Sequence, residues 1–225
     1  MKTLLSLLFL LCACLPLQGR VGRILYYNKP ANAPDRVYLY VDGQFHSEVD
    51  LPSFQFGQDI EFEQGRGVLK LIFSPRLLEE GEPLPEGLPS VNVRKGWEKF
   101  LIVVVESQKS SLLPIKPIVI NANEKHFGNG DFLFMNLTPN LLGGTFGEEQ
   151  IRVAPRKMHV AKMAAYQGEF LDVKLDYVRP DGQKKRRWMI YQGWRILPDR
   201  RTLVFCYVPE GRKTMKYFAT QVKNM

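Results

Sequence analysis

Basic and aromatic side chains meet in one short stretch near the end of the chain. Lys184, Lys185, Arg186 and Arg187 form the densest group of cations, and Trp188 follows directly. Cations beside aromatic rings can pair with anions while the rings stack on sugars or headgroups. We therefore state the hypothesis of an anion-binding surface here, helped by further arginines. These are Arg179, Arg200 and Arg201.

Two ordinary structural roles compete with this hypothesis, and the sequence favours them. The cations follow Pro180-Asp181-Gly182, a turn sequence, so they leave the tip of a hairpin, where charge also prevents strands from pairing with other chains. Large aromatic side chains more often pack in a core or across strands, and this applies to Trp188, Tyr191 and Trp194. We accordingly interpret the cations as a solvated hairpin and the rings as core residues.

Residues for nucleophilic or metal chemistry are sparse. His46, His126 and His159 lie far apart and show no close ligand spacing. Cys206 remains alone outside the first nineteen residues and sits in the apolar run 203–208, so we predict a buried core thiol rather than a nucleophile.

Carboxylates alternate at Asp59, Glu61 and Glu63. A glycosidase needs two carboxyl groups that face each other across a cleft. These three carboxylates instead share one face of a predicted strand, and such a face is usually exposed to solvent. The chain also carries no nucleophile elbow, Walker loop or zinc-protease motif. The sequence thus predicts no catalytic, cofactor or metal site. The alternative is an extracytoplasmic hydrolase whose site is assembled from residues distant in sequence.

The elements that must position all these residues are β-strands. Runs such as 100–105 and 203–208 are β-branched and aromatic throughout. The segment 170–177 alternates instead, with Leu171, Val173, Leu175 and Tyr177 on its apolar face. No segment sustains a helical apolar period. We predict an all-β, mainly antiparallel fold.

A weak internal repeat indicates two similar units. The strands at 24–30 and 132–139 each end in Asn and then Pro, and each is followed by a strand that reaches a Gly. This predicts two β-sandwich units, at 20–122 and 123–225, with the join near 122–131. The alternative is one larger sandwich. The Pro-rich and Gly-rich loop 79–89 is interpreted as an excursion from the first unit.

The first nineteen residues are typical of a secretory signal peptide. One lysine precedes an apolar run at 4–15, which is too short to span a bilayer. We expect export after cleavage near Gly19, to the periplasm, the cell surface or the medium, with no transmembrane segment. The alternative is a lipoprotein anchored through Cys14. The oligomeric state is not indicated.

Charge is distributed unevenly over the 225 residues. The formal net charge is +8, yet residues 151–225 hold seventeen Lys and Arg against six Asp and Glu, which is +11 and leaves −3 for the rest. Such asymmetry favours an anionic partner for the second half. For an exported protein this partner is an envelope polymer, a lipid headgroup or an acidic protein, rather than nucleic acid.

A resemblance follows from two motifs. The stretch from Tyr27 to Gly43 resembles exported bacterial immunoglobulin-like β-sandwich domains of unknown function, and that from Asn136 to Gly147 is similar to the same opening. The resemblance implies an immunoglobulin-like sandwich at the cell surface or in the periplasm and carries no catalytic residue across. Together, the observations predict a non-catalytic exported binding or assembly protein of the cell envelope.

Overall fold

A computed structural model describes residues 19–63, 67–107, 110, 112–180 and 185–225. These residues form sixteen strands and one turn of 3-10 helix at Ala164–Tyr166, so the predicted all-β fold is confirmed. Within these ranges there is no helix with the length and apolar character that a membrane span requires. The strands are β1 (Arg20–Tyr26), β2 (Arg36–Val41), β3 (Gln44–Asp50), β4 (Ile60–Phe62), β5 (Leu69–Ser74), β6 (Ser90–Val93), β7 (Lys99–Glu106), β8 (Ile115–Asn121), β9 (Phe132–Asn136), β10 (Leu141–Phe146), β11 (Glu149–Val153), β12 (Met158–Ala161), β13 (Phe170–Val178), β14 (Arg187–Arg195), β15 (Arg200–Tyr207) and β16 (Lys216–Lys223).

The strands pair into four sheets of four strands. In the first half of the chain, the sheets have the orders β3-β2-β5-β6 and β4-β1-β7-β8. We call them the first outer and the first inner sheet, because the inner sheet faces the other half of the chain. The second inner sheet has the order β12-β9-β15-β16 and the second outer sheet β11-β10-β13-β14. Each inner sheet packs on the outer sheet of its own half, which gives two sandwiches.

The two sandwiches have the same topology. Adding eight to each strand number of the first half reproduces the sheet orders of the second. Even the parallel pair recurs, because β1 runs parallel to β7 and β9 runs parallel to β15. The other strand pairs are antiparallel, in line with the prediction. The repeat that the Asn and Pro spacing indicated is therefore present in the fold, with β1–β8 before residue 122 and β9–β16 after residue 131.

The continuous apolar runs belong to sheets that are covered on both faces. In β7, Ile102 and Val104 point into the first sandwich, while Leu101 and Val103 point toward the second inner sheet. A strand buried on both faces cannot alternate apolar with polar residues. The inner sheets of the two halves thus pack back to back, and the molecule has three apolar layers between four sheets.

Rings and hydrogen bonds join the two halves. Tyr27 stacks on Phe205 with ring centroids 4.5 Å apart. The Arg23 guanidinium donates to the carbonyls of Lys223 and Asn224 at 2.6 and 2.7 Å. The contact between the sandwiches is therefore apolar at its centre and hydrogen bonded at its edge.

Candidate binding surface on the second outer sheet

The alternation of β13 gives the second outer sheet one buried and one open face. Val173, Leu175 and Tyr177 are at most 1% exposed and point into the core, as the sequence predicts. The outward positions include Asp172 and Lys174. They face away from the second inner sheet, so they set the chemistry of the open face.

A bulge in β14 brings a second ring onto this face. Leu175 pairs with Ile190, but the next residue, Asp176, pairs with Trp188, so Met189 is an extra residue in the ladder. A bulge re-aims the side chains beside it. As a result Trp188 and Tyr191 both lie outside, 70% and 73% exposed, with ring centroids 6.2 Å apart.

The interpretation of the aromatic residues as core was right for one ring and wrong for two. Trp194 packs inside the second sandwich, with its ring 5.6 Å from Phe132 and 6.3 Å from Phe134. Trp188 and Tyr191 are exposed instead. The bulge moves Trp188 to the outer face, and no residue in the sequence marks it.

A groove of about 600 Å³ runs over β10 beside these rings. Its floor includes Gly143, where an added Cβ would have its nearest neighbour 3.7 Å away at the Ile151 carbonyl oxygen. Gly144 serves another purpose, because its φ is +143° and an added Cβ would lie 1.9 Å from the Lys174 carbonyl oxygen. Gly143 therefore leaves space for an occupant, whereas Gly144 is required by the backbone. We call this feature the sheet groove.

Cations line the sheet groove and a buried carboxylate fixes one of them. Asp176 is 6% exposed, and its Oδ2 accepts a hydrogen bond from Arg186 Nη1 at 3.2 Å. Lys174 Nζ lies 5.5 Å from the Tyr191 ring centroid and 3.2 Å from Asp172 Oδ2. Arg152 is exposed on β11 and also lines the groove. The face thus presents rings beside oriented cations, which suits an anion with stackable or apolar parts.

Of the proposed basic cluster, the described members lie at or near this face. Lys185 and Arg186 are exposed just before β14, and Arg187 is half-buried at its first position. Lys184 and the predicted turn residues 181–182 lie outside the described residues. Arg179 is half-buried and its Nη2 donates to the carbonyl of Lys213 in the β15–β16 connection.

Two of the proposed binding residues lie elsewhere, on β15 of the second inner sheet. Arg200 pairs with Asp199 at 2.8 Å, and this hydrogen bond lowers the pKa of the Asp199 carboxyl. Arg201 is 1% exposed, and its Nη1 donates to the carbonyls of Ala122 and Phe127. Its assignment to the binding surface is therefore wrong.

The reason for the error at Arg201 is that β15 belongs to a sheet covered on both faces. Burial lowers the pKa of the Arg201 guanidinium, and Glu124, whose Oε2 lies 3.3 Å away, opposes that shift. Its backbone acceptors lie in the segment that joins the two sandwiches. Arg201 thus holds that segment in place, a role that a count of charges along the sequence cannot reveal.

The residues considered for catalysis are held in other contacts. The His46 ring stacks on Phe62 at 4.9 Å, and His159 Nε2 lies 3.3 Å from Glu149 Oε1. Cys206 is fully buried, which raises the pKa of its thiol to about 12, as expected of a core thiol. Over the ranges that the structure describes, no group of three or more His, Cys, Asp or Glu is placed to hold a metal ion.

The alternating carboxylates are solvated, as predicted. Asp59, Glu61 and Glu63 are all exposed, and Asp59 Oδ1 accepts a 2.5 Å hydrogen bond from Arg23 Nε. They bracket Ile60 and Phe62, whose side chains pack toward the first core.

A smaller cleft, of about 400 Å³, lies where the two sandwiches meet. Tyr27, Ile118 and Met135 are among its apolar lining residues, and Lys116 and Arg156 are among its cations. Its lining also includes the acid Glu106. Its aromatic ring, Tyr27, belongs to the contact between the halves, so the cleft extends that interface rather than the exposed basic face.

No model of a protein family matches the chain, and no curated protein is significantly similar to it.

Proposed function

We propose that the protein is a non-catalytic exported binding or assembly protein of the cell envelope, and that the sheet groove and its rings contact an anionic polymer or surface. The observation that carries this proposal is the exposure of Trp188 and Tyr191 beside the groove. Large rings on a sheet face more often turn inward, so two neighbouring exposed rings support an interaction site here.

The groups around the rings support an anionic partner. Arg186 is oriented by Asp176, and Lys174 lies over Tyr191, so cations and rings point to the same side. Each exposed ion pair is worth only about 0–1 kcal/mol, so binding needs several at once. Such binding weakens at high salt, because the Debye length falls to about 3 Å at 1 M.

Export is the second part of the proposal and rests on residues 1–19, of which 1–18 lie outside the described residues. N-terminal sequencing and intact mass of the protein from its native host test it. A chain that begins near residue 20 supports simple cleavage, and a lipid on Cys14 supports an anchored form. An intact Met1 on a protein in the cytoplasm would contradict export.

Retention on purified cell wall and on anionic liposomes, at low and high salt, tests the surface. The variant combines Trp188→Ala with Arg152→Gln, and we expect its dissociation constant to rise about tenfold, since a ring contact of about 0.5–1.5 kcal/mol and one surface charge are lost. The matched control combines Phe54→Ala with Arg200→Gln, which removes an exposed ring and an arginine elsewhere. Equal binding by both variants would refute the assignment of the surface.

The non-catalytic part has its own test. Purified protein is incubated with generic ester, glycoside, peptide and phosphate substrates, and we expect no turnover. Turnover that a single substitution abolishes would favour the hydrolase alternative instead.

A further inference from the structure

The internal duplication lets the two outer sheets be compared directly. The loop 75–89 joins β5 to β6, and the loop 179–186 joins β13 to β14. The two connections are counterparts in the order of the chain, because β5-β6 and β13-β14 are the corresponding hairpins. They differ in length, and residues 181–184 of the second connection lie outside the described residues.

In the first sandwich the loop folds back over the outer sheet. The Leu78 backbone N–H donates to the Tyr40 hydroxyl at 2.9 Å, and Leu84 Cδ1 lies 3.8 Å from a Cβ built on Gly43. Tyr40 points outward from β2 and is nevertheless only 4% exposed, and Ile72 beside it is 8% exposed. The chain thus supplies its own cover for this face.

In the second sandwich, β10 is the counterpart of β2, and β14 is the counterpart of β6. Among the described residues the sheet groove lies over β10, and Trp188 and Tyr191 of β14 are 70% and 73% exposed beside it. The outward positions of β10 carry Gly143 and Thr145, so the sheet groove replaces the tyrosines of β2. The open face therefore has space and rings for a segment like the one that covers its counterpart.

The composition of the covering loop indicates what such a segment is. Residues 75–89 contain four glutamates against one arginine, and also four prolines and four leucines. The open face has three cations around the groove, Arg152, Lys174 and Arg186, against two carboxylates, since Asp172 pairs with Lys174 and Asp176 with Arg186, each at 3.2 Å. Its charge is therefore positive on balance, and apolar ring surface lies at its edge. Proline-containing segments lose little entropy when they bind in an extended form, and aromatic surfaces commonly receive them.

We propose that the sheet groove binds an acidic, proline-containing segment of a partner protein, laid over the second outer sheet as residues 75–89 lie over the first. This inference rests on the proposed function, since it names the partner of the same surface. The acidic side chains pair with the groove cations, and the leucines pack on Trp188 and Tyr191.

The probe is a fluorescent synthetic peptide with the sequence of residues 75–89, titrated into the whole purified protein and followed by anisotropy. We expect saturable binding that Gly143→Leu weakens at least about tenfold, because the leucine fills the groove where a Cβ has room. Gly193→Leu is the matched control, since Gly193 is exposed on β14 of the same sheet, outside the groove lining, with nothing within 4 Å of an added Cβ. Arg152→Gln is a second variant that leaves the sheet backbone untouched, and it is expected to weaken binding and reduce the salt dependence.

The outcomes separate this inference from the proposed function. In one outcome the peptide does not bind, while dextran sulfate or anionic liposomes bind and lose this binding in the variant with Trp188→Ala and Arg152→Gln. This outcome would overturn the peptide inference and leave the proposed anion-binding surface in place. If the peptide, dextran sulfate and anionic liposomes all fail to bind, both the peptide inference and the proposed function are overturned. Equal affinity for a peptide with all four glutamates changed to glutamine would also overturn the inference, because the charge complementarity carries it.

Discussion

Replacement of Arg201 by methionine tests the assignment of this residue to the fold. Methionine keeps most of the apolar stem and removes the guanidinium, whose Nη1 donates to the carbonyls of Ala122 and Phe127. Each buried carbonyl left without a donor costs about 1–3 kcal/mol. The removed charge no longer has to be desolvated, and this offsets part of the loss. We expect the free energy of unfolding to fall by about 2–4 kcal/mol.

The assay is urea denaturation followed by tryptophan fluorescence, with Arg200→Met as the matched control. Arg200 is the neighbouring residue of the same type, but it pairs with Asp199 at a partly exposed position, so its replacement should change stability little. Hydrogen exchange of the segment 122–131 gives a second measurement, since the loss of its anchor should increase exchange there first. Equal destabilisation by the two variants, or unchanged protection of 122–131, would refute the anchoring role.

Three further predictions concern single residues. Gly144→Ala should lower stability by about 2–4 kcal/mol, because its φ of +143° is a glycine conformation and the new Cβ meets the Lys174 carbonyl oxygen. Gly143→Ala is the control and should cause no loss. Thermal unfolding of the two variants measures the difference. Cys206 should not react with a thiol reagent until the protein is unfolded. The free energy of unfolding should fall between about pH 9 and 12, because the thiol of the unfolded chain ionises there and the buried thiol does not. A Cys206→Ala variant that loses the same stability over this pH range would contradict the prediction. Asn136→Ala should cost about 2–4 kcal/mol, since the buried amide donates to three backbone carbonyls, and urea midpoints that match the wild type would show that these carbonyls find other donors.

The fold could be predicted largely from the distribution of apolar residues. The continuous run in β7 and the alternating pattern in β13 correspond to an inner and an outer sheet, respectively. The Asn and Pro spacing indicated the duplication. Packing of the two inner sheets back to back could not be predicted, because a strand covered on both faces looks the same whether the second cover comes from its own unit or from another.

The candidate site was predictable only in part, for two physical reasons. Trp188 reaches the outer face through a bulge, and a shift of one residue in register reverses the face of a side chain. Arg201 has the same charge as its neighbour Arg200, yet one is buried between sheets and the other is not. Charge counting locates a basic half of the chain, but only the sheet order separates the buried arginine from the exposed ones.

The pairing of the inner sheets also bears on what either half would do alone. If the second half were removed, Leu101, Val103 and Ile120 would lose their cover and form an apolar sheet face in water. The corresponding face of the second half carries Leu203 and Phe205. Each half therefore supplies the cover for the other half's inner face. Joining the two halves in one polypeptide thus keeps both inner faces covered, while the two outer faces are free to differ.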